Sequence, residues 1–350
     1  MNTAAALRLD YLSSDQLVAQ SPAWWHSVLG VVGFEKLPEI DRDRVPVTAS
    51  MTPSLGAAEN LCEVWRVSGN QRIQLSNGTM TQGRVQYRYC DELLFGSITV
   101  DEQAIDELAV EAPALLRATE TAYREIFEVL NATEHRHLIR IWNYLPDINR
   151  EADGDERYRH FNSARQTAFR NSGRTTIGSV PAASALGSPA GSPISIYFLA
   201  ARHAPMMVEN PRQTSAYYYP RKFGIHSPVF SRACVLSEAA GTNLFVSGTA
   251  SIVGHETIHQ GDVVAQTRET IANINALLDE ANRMVGSARY SLDALKLKVY
   301  VRQPRDLAAI NTALTATVPC STPIVYLQAD VCREDLLVEI EATGESSHDL

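Results

Sequence analysis

From residue 85 onward the chain changes its hydrophobic period several times, and each change marks an element. Val85–Tyr89 and Leu93–Val100 flank Cys90-Asp-Glu as two apolar runs, which predicts a β-hairpin. Between Pro113 and Leu130, Leu115, Leu116, Ala122, Ile126 and Leu130 recur near every 3.6 residues, the pattern of a helix with one buried face. His137–Asn143 alternates like a strand, Arg157–Phe169 predicts a second helix, and Ile194–Ala201 is an apolar strand. Asn243–Ser247, Asp262–Arg283, Leu295–Val301, Pro304–Leu314 and Leu336–Glu341 then read as strand, long helix, strand, short helix, strand. Asp262 is placed to cap the long helix, and Pro304 to open the short one.

The same order therefore occurs twice, with Leu93-Leu-Phe-Gly96 standing where Leu244-Phe-Val-Ser-Gly248 stands later. A repeat this long predicts a duplicated α/β (α+β) body with halves at residues 1–205 and 206–350, not a solenoid. Helices cover one face of each sheet, so the remaining faces must bury against each other and a cleft forms where they meet. The first eighty residues alternate short apolar runs with Pro, Gly and Asn and read as irregular strands and turns. Gly187-Ser-Pro-Ala-Gly-Ser-Pro193 reads as a connecting loop, with a lid over the cleft as the alternative.

Composition narrows the partners. The chain has 350 residues, 45% hydrophobic and 20% charged, with a net charge of −9. That balance argues against a nucleic-acid or anionic-membrane surface; an anionic ligand would need a few arginines gathered locally. Five scattered cysteines with no C-x-x-C pair predict reduced thiols. No apolar run approaches the ~20 residues of a membrane helix, and the N-terminal residues lack a secretory pattern, so a cytoplasmic protein is expected.

His255-Glu-Thr-Ile-His259 fits the zinc-protease pattern H-E-x-x-H, which requires a continuous helix. Gly254 and Gly261 bracket it, so a loop is expected, with no metal and no organic cofactor. Arg157, Arg159, Arg165, Arg202, Arg221 and Arg232 lie among Tyr158, Phe161, Tyr217, Tyr218, Tyr219 and Phe230. A guanidinium fork grips a carboxylate through two parallel hydrogen bonds, and rings beside it flank a planar ligand. Arg157 and Arg159 are expected on a solvated helix face, whereas Arg232, just ahead of an apolar strand, is expected to be buried against an anion. Glu339 and Glu341 share one side of the last strand. They read either as an exposed face or as a desolvated carboxyl of raised pKa, the form a general acid requires. Cys332 stands in the turn before them.

Several segments resemble known families. Leu244-Phe-Val-Ser-Gly-Thr-Ala250, the helix at 262–278, Leu297-Lys-Val-Tyr-Val-Arg302 and Leu337-Val-Glu-Ile-Glu-Ala342 resemble the RidA/YjgF imine deaminases over the C-terminal half. Together with Ile141-Trp-Asn-Tyr-Leu-Pro-Asp-Ile-Asn149, Phe198-Leu-Ala-Ala-Arg202, Glu209-Asn-Pro211, Tyr219-Pro220, Pro228-Val-Phe230 and Arg333-Glu-Asp335, the chain is similar to the chorismatases over most of its length beyond residue 85. The resemblance implies two RidA-like halves around one site for chorismate, with Glu339 protonating the enolpyruvyl methylene before pyruvate leaves. It implies substrate-binding roles for Arg165, Tyr219, Arg232 and Tyr144. Gly248 and Cys332 together match the branch in which the ring hydroxyl attacks internally to give 3-hydroxybenzoate; alanine at both would match the hydrolytic branch, which gives a dihydroxycyclohexadiene acid. Gln213 matches a third branch that also releases 4-hydroxybenzoate, and that branch is the expectation. A monomer or a homotrimer is implied. The rivals are a RidA-like imine hydrolase, disfavoured because Thr322 stands near the expected carboxylate-binding arginine, and a non-catalytic binder on the same fold.

Overall fold

The alternating and apolar runs become strands of two large sheets that share one strand order. In the computed structural model, which describes all residues except 1–5, 36–39, 41–44, 57–59, 69–73, 78–83, 105–111, 239–240, 288 and 348–350, the first sheet runs Gln74–Asn77, Gln86–Tyr89, Leu93–Val100, Ile194–Ala201, His137–Pro146, Ala182–Ser188, with Asp330–Val331 at its far edge. The second runs Met206–Val208, Ala233–Glu238, Gly241–Thr249, Val338–Ser347, Leu295–Val301, Ile324–Gln328. In each, a hairpin is followed by a long helix (Ala114–Ala132 or Val263–Val285), a strand, a second helix (Arg157–Asn171 or Leu307–Thr315) and a strand parallel to the preceding one. The closing strand then inserts in the middle, between hairpin and crossover. Helical crossovers are what parallel neighbours require.

The helices take one face of each sheet. Leu115, Tyr123, Phe127 and Phe161 pack on Ile141, Ile196 and Phe198, and Ile271, Ile274 and Leu278 pack on Leu244, Leu297 and Val299. The uncovered faces meet: Trp142, Tyr144, Tyr197 and Leu199 share one core with Phe245, Tyr300 and Leu327. Asp262 caps its helix by accepting from the Ala265 N–H at 2.9 Å, as expected.

Two regions differ from the sequence expectation. Residues before 69 form a regular four-stranded sheet, ordered Ala6–Ser13, Leu61–Ser68, Val28–Gly33, Val47–Ala49, whose Leu9, Phe34 and Trp65 enter the central core. Its Val28-Leu-Gly-Val-Val-Gly strand hides behind two glycines, which are normally depleted in strands. Gly30 is there because a Cβ would lie 2.1 Å from the Phe95 ring. Ala182–Ser188 is a buried strand rather than loop. Its small residues have little strand propensity; it forms by pairing in parallel with His137–Pro146, and its Ala183 N–H donates across to Ser247 Oγ of the second sheet at 2.9 Å. Of the expected loop at 187–193, Gly187 and Ser188 belong to this strand; residues 189–193 connect it to Ile194–Ala201, with Gly191 and Ser192 at a different surface cavity from the one described next.

Candidate active site

A β-bulge organises the site. Val246 pairs with Ala342 and Thr249 with Ile340, so Gly241–Thr249 carries one residue more than the last strand at this point. An extra residue bends its strand and re-aims the side chains around it. Here it brings Gly248 over Glu339: a Cβ on Gly248 would lie 2.0 Å from Glu339 Oε1, a separation no atom pair tolerates. Only glycine lets the carboxyl stand where it does.

Glu339 is 4% exposed and lines a cavity of about 610 Å³ measured out to its mouth. Among the described residues nothing makes a hydrogen bond or ion pair to its carboxyl. Burial, reinforced by the negative Glu341 nearby, pushes its pKa up to about 8, against the opposing pull of Arg140, Arg302 and Arg232. Glu341 has the opposite fate: it accepts from Trp142 Nε1, Ser184 Oγ and Arg140 Nη2, each at 2.7 Å, and Lys298 Nζ lies at 2.8 Å. Burial alone would raise its pKa, but Lys298 and Arg140 outweigh that and hold the carboxyl below its ordinary value. Of the two readings open for this strand face the buried one holds for both residues, and their carboxyls are shifted in opposite directions.

The cavity has two lobes that share Tyr158, Phe230, Gly248, Cys332 and Glu339. The inner lobe ends on Arg165, which is 1% exposed. Its Nη2 reaches Asn162 Oδ1 at 3.4 Å, its guanidinium lies 5.0 Å from the Phe161 ring, and its Nε has no acceptor. The outer lobe carries Arg232 and Arg333. Arg232 Nη2 donates to the Thr214 carbonyl at 2.6 Å and to the Tyr219 hydroxyl at 2.8 Å, between the rings of Tyr219 and Phe230. Arg333 donates to the His255 carbonyl at 2.9 Å and lies 4.0 Å from the Phe223 ring. Arg232 Nε and Arg333 Nη2 are likewise buried without an acceptor. A buried donor without a partner is costly, and a carboxylate ligand removes that cost. The Cys332 thiol, pushed up to about 12 by burial and by Glu339 beside it, is a neutral wall of this cavity at ordinary pH and not a thiolate nucleophile.

Glu339, Cys332, Gly248, Arg165, Arg232 and Tyr219 thus come together, and Arg232 is buried as expected. Tyr144 and Gln213 do not join them. Tyr144 lies in the core between the sheets, its hydroxyl 2.9 Å from that of Tyr300, because alternation along His137–Pro146 turns it to the same face as Trp142 and away from the cavity. Gln213 is buried behind the cavity wall, where its Nε2 donates to the Ile252 carbonyl at 3.0 Å and its Oε1 accepts from Asn210. Arg157 is buried, not solvated: Nε donates to the Pro146 carbonyl at 2.9 Å and the fork pairs with Glu102. Arg159 is half-exposed at the cavity rim, paired with Asp155 at 3.0 Å. His255 lies in the turn of a tight hairpin, Ile252–Val253 with Glu256–Thr257, His259 two residues beyond it, and no helix carries either. Ser184, Arg333 and Lys298 were missed. Ser184 sits on the unrecognised strand, and Lys298 alternates with apolar residues like an outward-facing position.

A buried carboxyl of raised pKa therefore stands between two arginine-lined ends of one cavity. Residues 63–200 match the family described as "Chorismatase FkbO/Hyg5-like, N-terminal", and residues 229–345 the family "Endoribonuclease L-PSP". A 3-hydroxybenzoate synthase of Streptomyces hygroscopicus is 35% identical over 91% of this chain and 92% of its own length. A chorismatase from the same organism is 34% identical over 85% of this chain and 83% of its own. A chorismatase crystal structure superposes with a TM-score of 0.82 at 29% identity, covering 98% of this chain and 100% of that one. The chain belongs to the chorismatase family.

Proposed function

We infer that this chorismatase converts chorismate to 3-hydroxybenzoate and pyruvate. The observation that carries the reading is Glu339, a buried carboxyl of raised pKa placed between two ends of unsatisfied arginine donors. Chorismate carries a ring carboxylate and an enolpyruvyl carboxylate. Binding one at Arg165 and the other at Arg232 and Arg333 lays the enol ether across Glu339. Proton transfer from Glu339 to the ether's methylene makes a methyl group and an oxocarbenium ion. The neighbouring ring hydroxyl then attacks the ring carbon that bears the ether and gives up its proton as that carbon–oxygen bond breaks. The ether oxygen leaves with the electron pair as the ketone of pyruvate. Opening of the resulting epoxide, with loss of the remaining proton on that ring carbon, gives the aromatic 3-hydroxybenzoate. The two products together contain the atoms of the substrate with no water added, which suits a cavity whose acid is shielded from solvent.

The test is product analysis: purified protein with chorismate should release pyruvate and 3-hydroxybenzoate in equal amounts. Pyruvate accompanied by a dihydroxycyclohexadiene acid would place the chain in the hydrolytic branch, and absence of turnover would leave a binder. Glu339 acts only while protonated, and it ionises through pH 8. The rate under kcat/KM conditions should therefore be level on the acid side of that limb and fall about tenfold per pH unit above it. A profile level to pH 9.5 would rule out this carboxyl.

The expectation of a 4-hydroxy isomer comes from the resemblance of Gln213 to the branch that releases both hydroxybenzoates. The Gln213 amide is instead bonded to Ile252 and Asn210 behind the cavity wall, and the proposal is limited to the 3-hydroxy product. Gln213→Val should leave the isomer composition unchanged, as read by chromatography; a changed 4-hydroxy fraction would restore the dual-product reading. No helix among the described residues is long and apolar enough to cross a membrane.

A further inference from the structure

Behind the acid lies a closed set of charges that substrate does not reach. Lys298 stands directly opposite Glu341 in the antiparallel pair, as Tyr300 does opposite Glu339. Lys298 also pairs with Glu63 from the N-terminal sheet and donates to the Tyr197 hydroxyl at 3.1 Å, and Glu63 accepts from Trp65 Nε1 at 2.6 Å. Arg140 closes the set, its guanidinium 4.6 Å from the Trp142 ring. Two anions and two cations are thus buried together and neutralise one another. A carboxylate receiving four donors is ionised, since a proton on either oxygen would displace one of them.

The link to the cavity is Ser184. Its Oγ donates to Glu341, and it accepts from Arg140 Nη2 at 2.6 Å and from the Gly248 N–H at 3.1 Å. Gly248 is the bulge residue on which the Glu339 carboxyl rests. We propose that Glu341 is a positioning residue for the general acid: through the Ser184 hydroxyl it pins the bulge that places Glu339, and it sets a fixed negative charge behind that carboxyl. This rests on the reading of Glu339 as the acid. It also gives the N-terminal sheet a part in catalysis, because Glu63 holds Lys298 for Glu341.

The charges facing Glu339 are Glu341 on its own strand, Arg140 from His137–Pro146, Arg302 at the end of Leu295–Val301, and Arg232 ahead of Ala233–Glu238. Cys332 and Arg333 face it from the preceding turn, Tyr158 and Arg165 from the helix Arg157–Asn171, and the half-buried Glu156, Arg159 and Tyr219 line the same cavity. Only Glu341 among them is a buried anion, so removing its charge leaves the arginines unopposed and eases ionisation of Glu339.

The experiment is the pH profile of pyruvate release by full-length Glu341→Gln. The alkaline limb should move down by about one pH unit, which lowers the rate about fivefold at pH 8 and little at pH 6, with KM within twofold of the parent. Because a broken buried pair endangers folding, Lys298→Met with Glu341→Gln is the companion: it keeps the remaining Glu63 and Arg140 balanced and should show a shift in the same direction, smaller because a cation is lost with the anion. Ser184→Ala retains every charge, so its limb should stay in place while kcat falls about tenfold. A limb unmoved in either folded charge variant overturns the electrostatic role, and an unchanged kcat in Ser184→Ala overturns the positioning one. Near-normal turnover in Glu339→Gln would instead defeat the underlying reading.

Discussion

Glu339→Gln should lower pyruvate release from chorismate by roughly 10²–10⁴-fold, the share that proton transfer by a placed side chain supplies. The substitution is nearly isosteric, and it removes a transferable proton from a carboxyl with no hydrogen-bond partner among the described residues, so no network collapses with it. It also removes a carboxyl held in an unfavourable environment, so thermal stability should be kept or raised. At pH 7 the wild-type group is protonated, and neutral glutamine therefore disturbs the local charge little. Circular dichroism, a melting curve and substrate-quenched fluorescence would establish an intact, substrate-binding protein. Residual turnover above one tenth of wild type in such a protein would assign the proton to another group. Glu341→Gln is the control, since it should displace the pH limb without abolishing turnover.

Gly248→Ala, combined with Cys332→Ala, should redirect the product. The new methyl group would sit 2.0 Å from Glu339 Oε1 and 3.1 Å from Ser184 Oγ, so the carboxyl must swing away or the bulge must open. Shortening Cys332 vacates the space beside the same carboxyl, into which it can move. The acid then meets the substrate from a different angle, and water gains a place that the ring hydroxyl had. Competing captures separated by only 1–2 kcal/mol in barrier differ about five- to thirty-fold in yield. The dihydroxycyclohexadiene acid should therefore rise against 3-hydroxybenzoate by a factor of that order, measured by chromatography of the ring products. Gly248→Ala alone, with Cys332 still filling the wall, should lose turnover more than it changes product. An unchanged product ratio in an active double variant would mean that neither residue governs which nucleophile wins.

Much of this protein was legible along the chain. Period and turn chemistry located the hairpin at residue 90, the capped helix after Asp262 and the strand Leu295–Val301, and their repeated order anticipated two sheets of one topology meeting across a core. Those features depend on local spacing, which a sequence displays directly. The N-terminal sheet and Ala182–Ser188 were not legible, because their glycines, alanines and serines carry little strand signal; Gly30 and Gly187 are set by neighbours, a Cβ there lying 2.1 Å from Phe95 or 2.5 Å from Asp330. Glu339 and Glu341 show the same division at the site. Alternation put both on one strand face, but it could not tell an exposed face from a buried one, nor give the two carboxyls opposite protonation states. Their difference comes from Lys298 across the strand pair, Arg140 and Ser184 from the other half, and a one-residue bulge over Glu339. Charge state depends on partners brought from distant parts of the chain, so it is a property that only the tertiary structure decides.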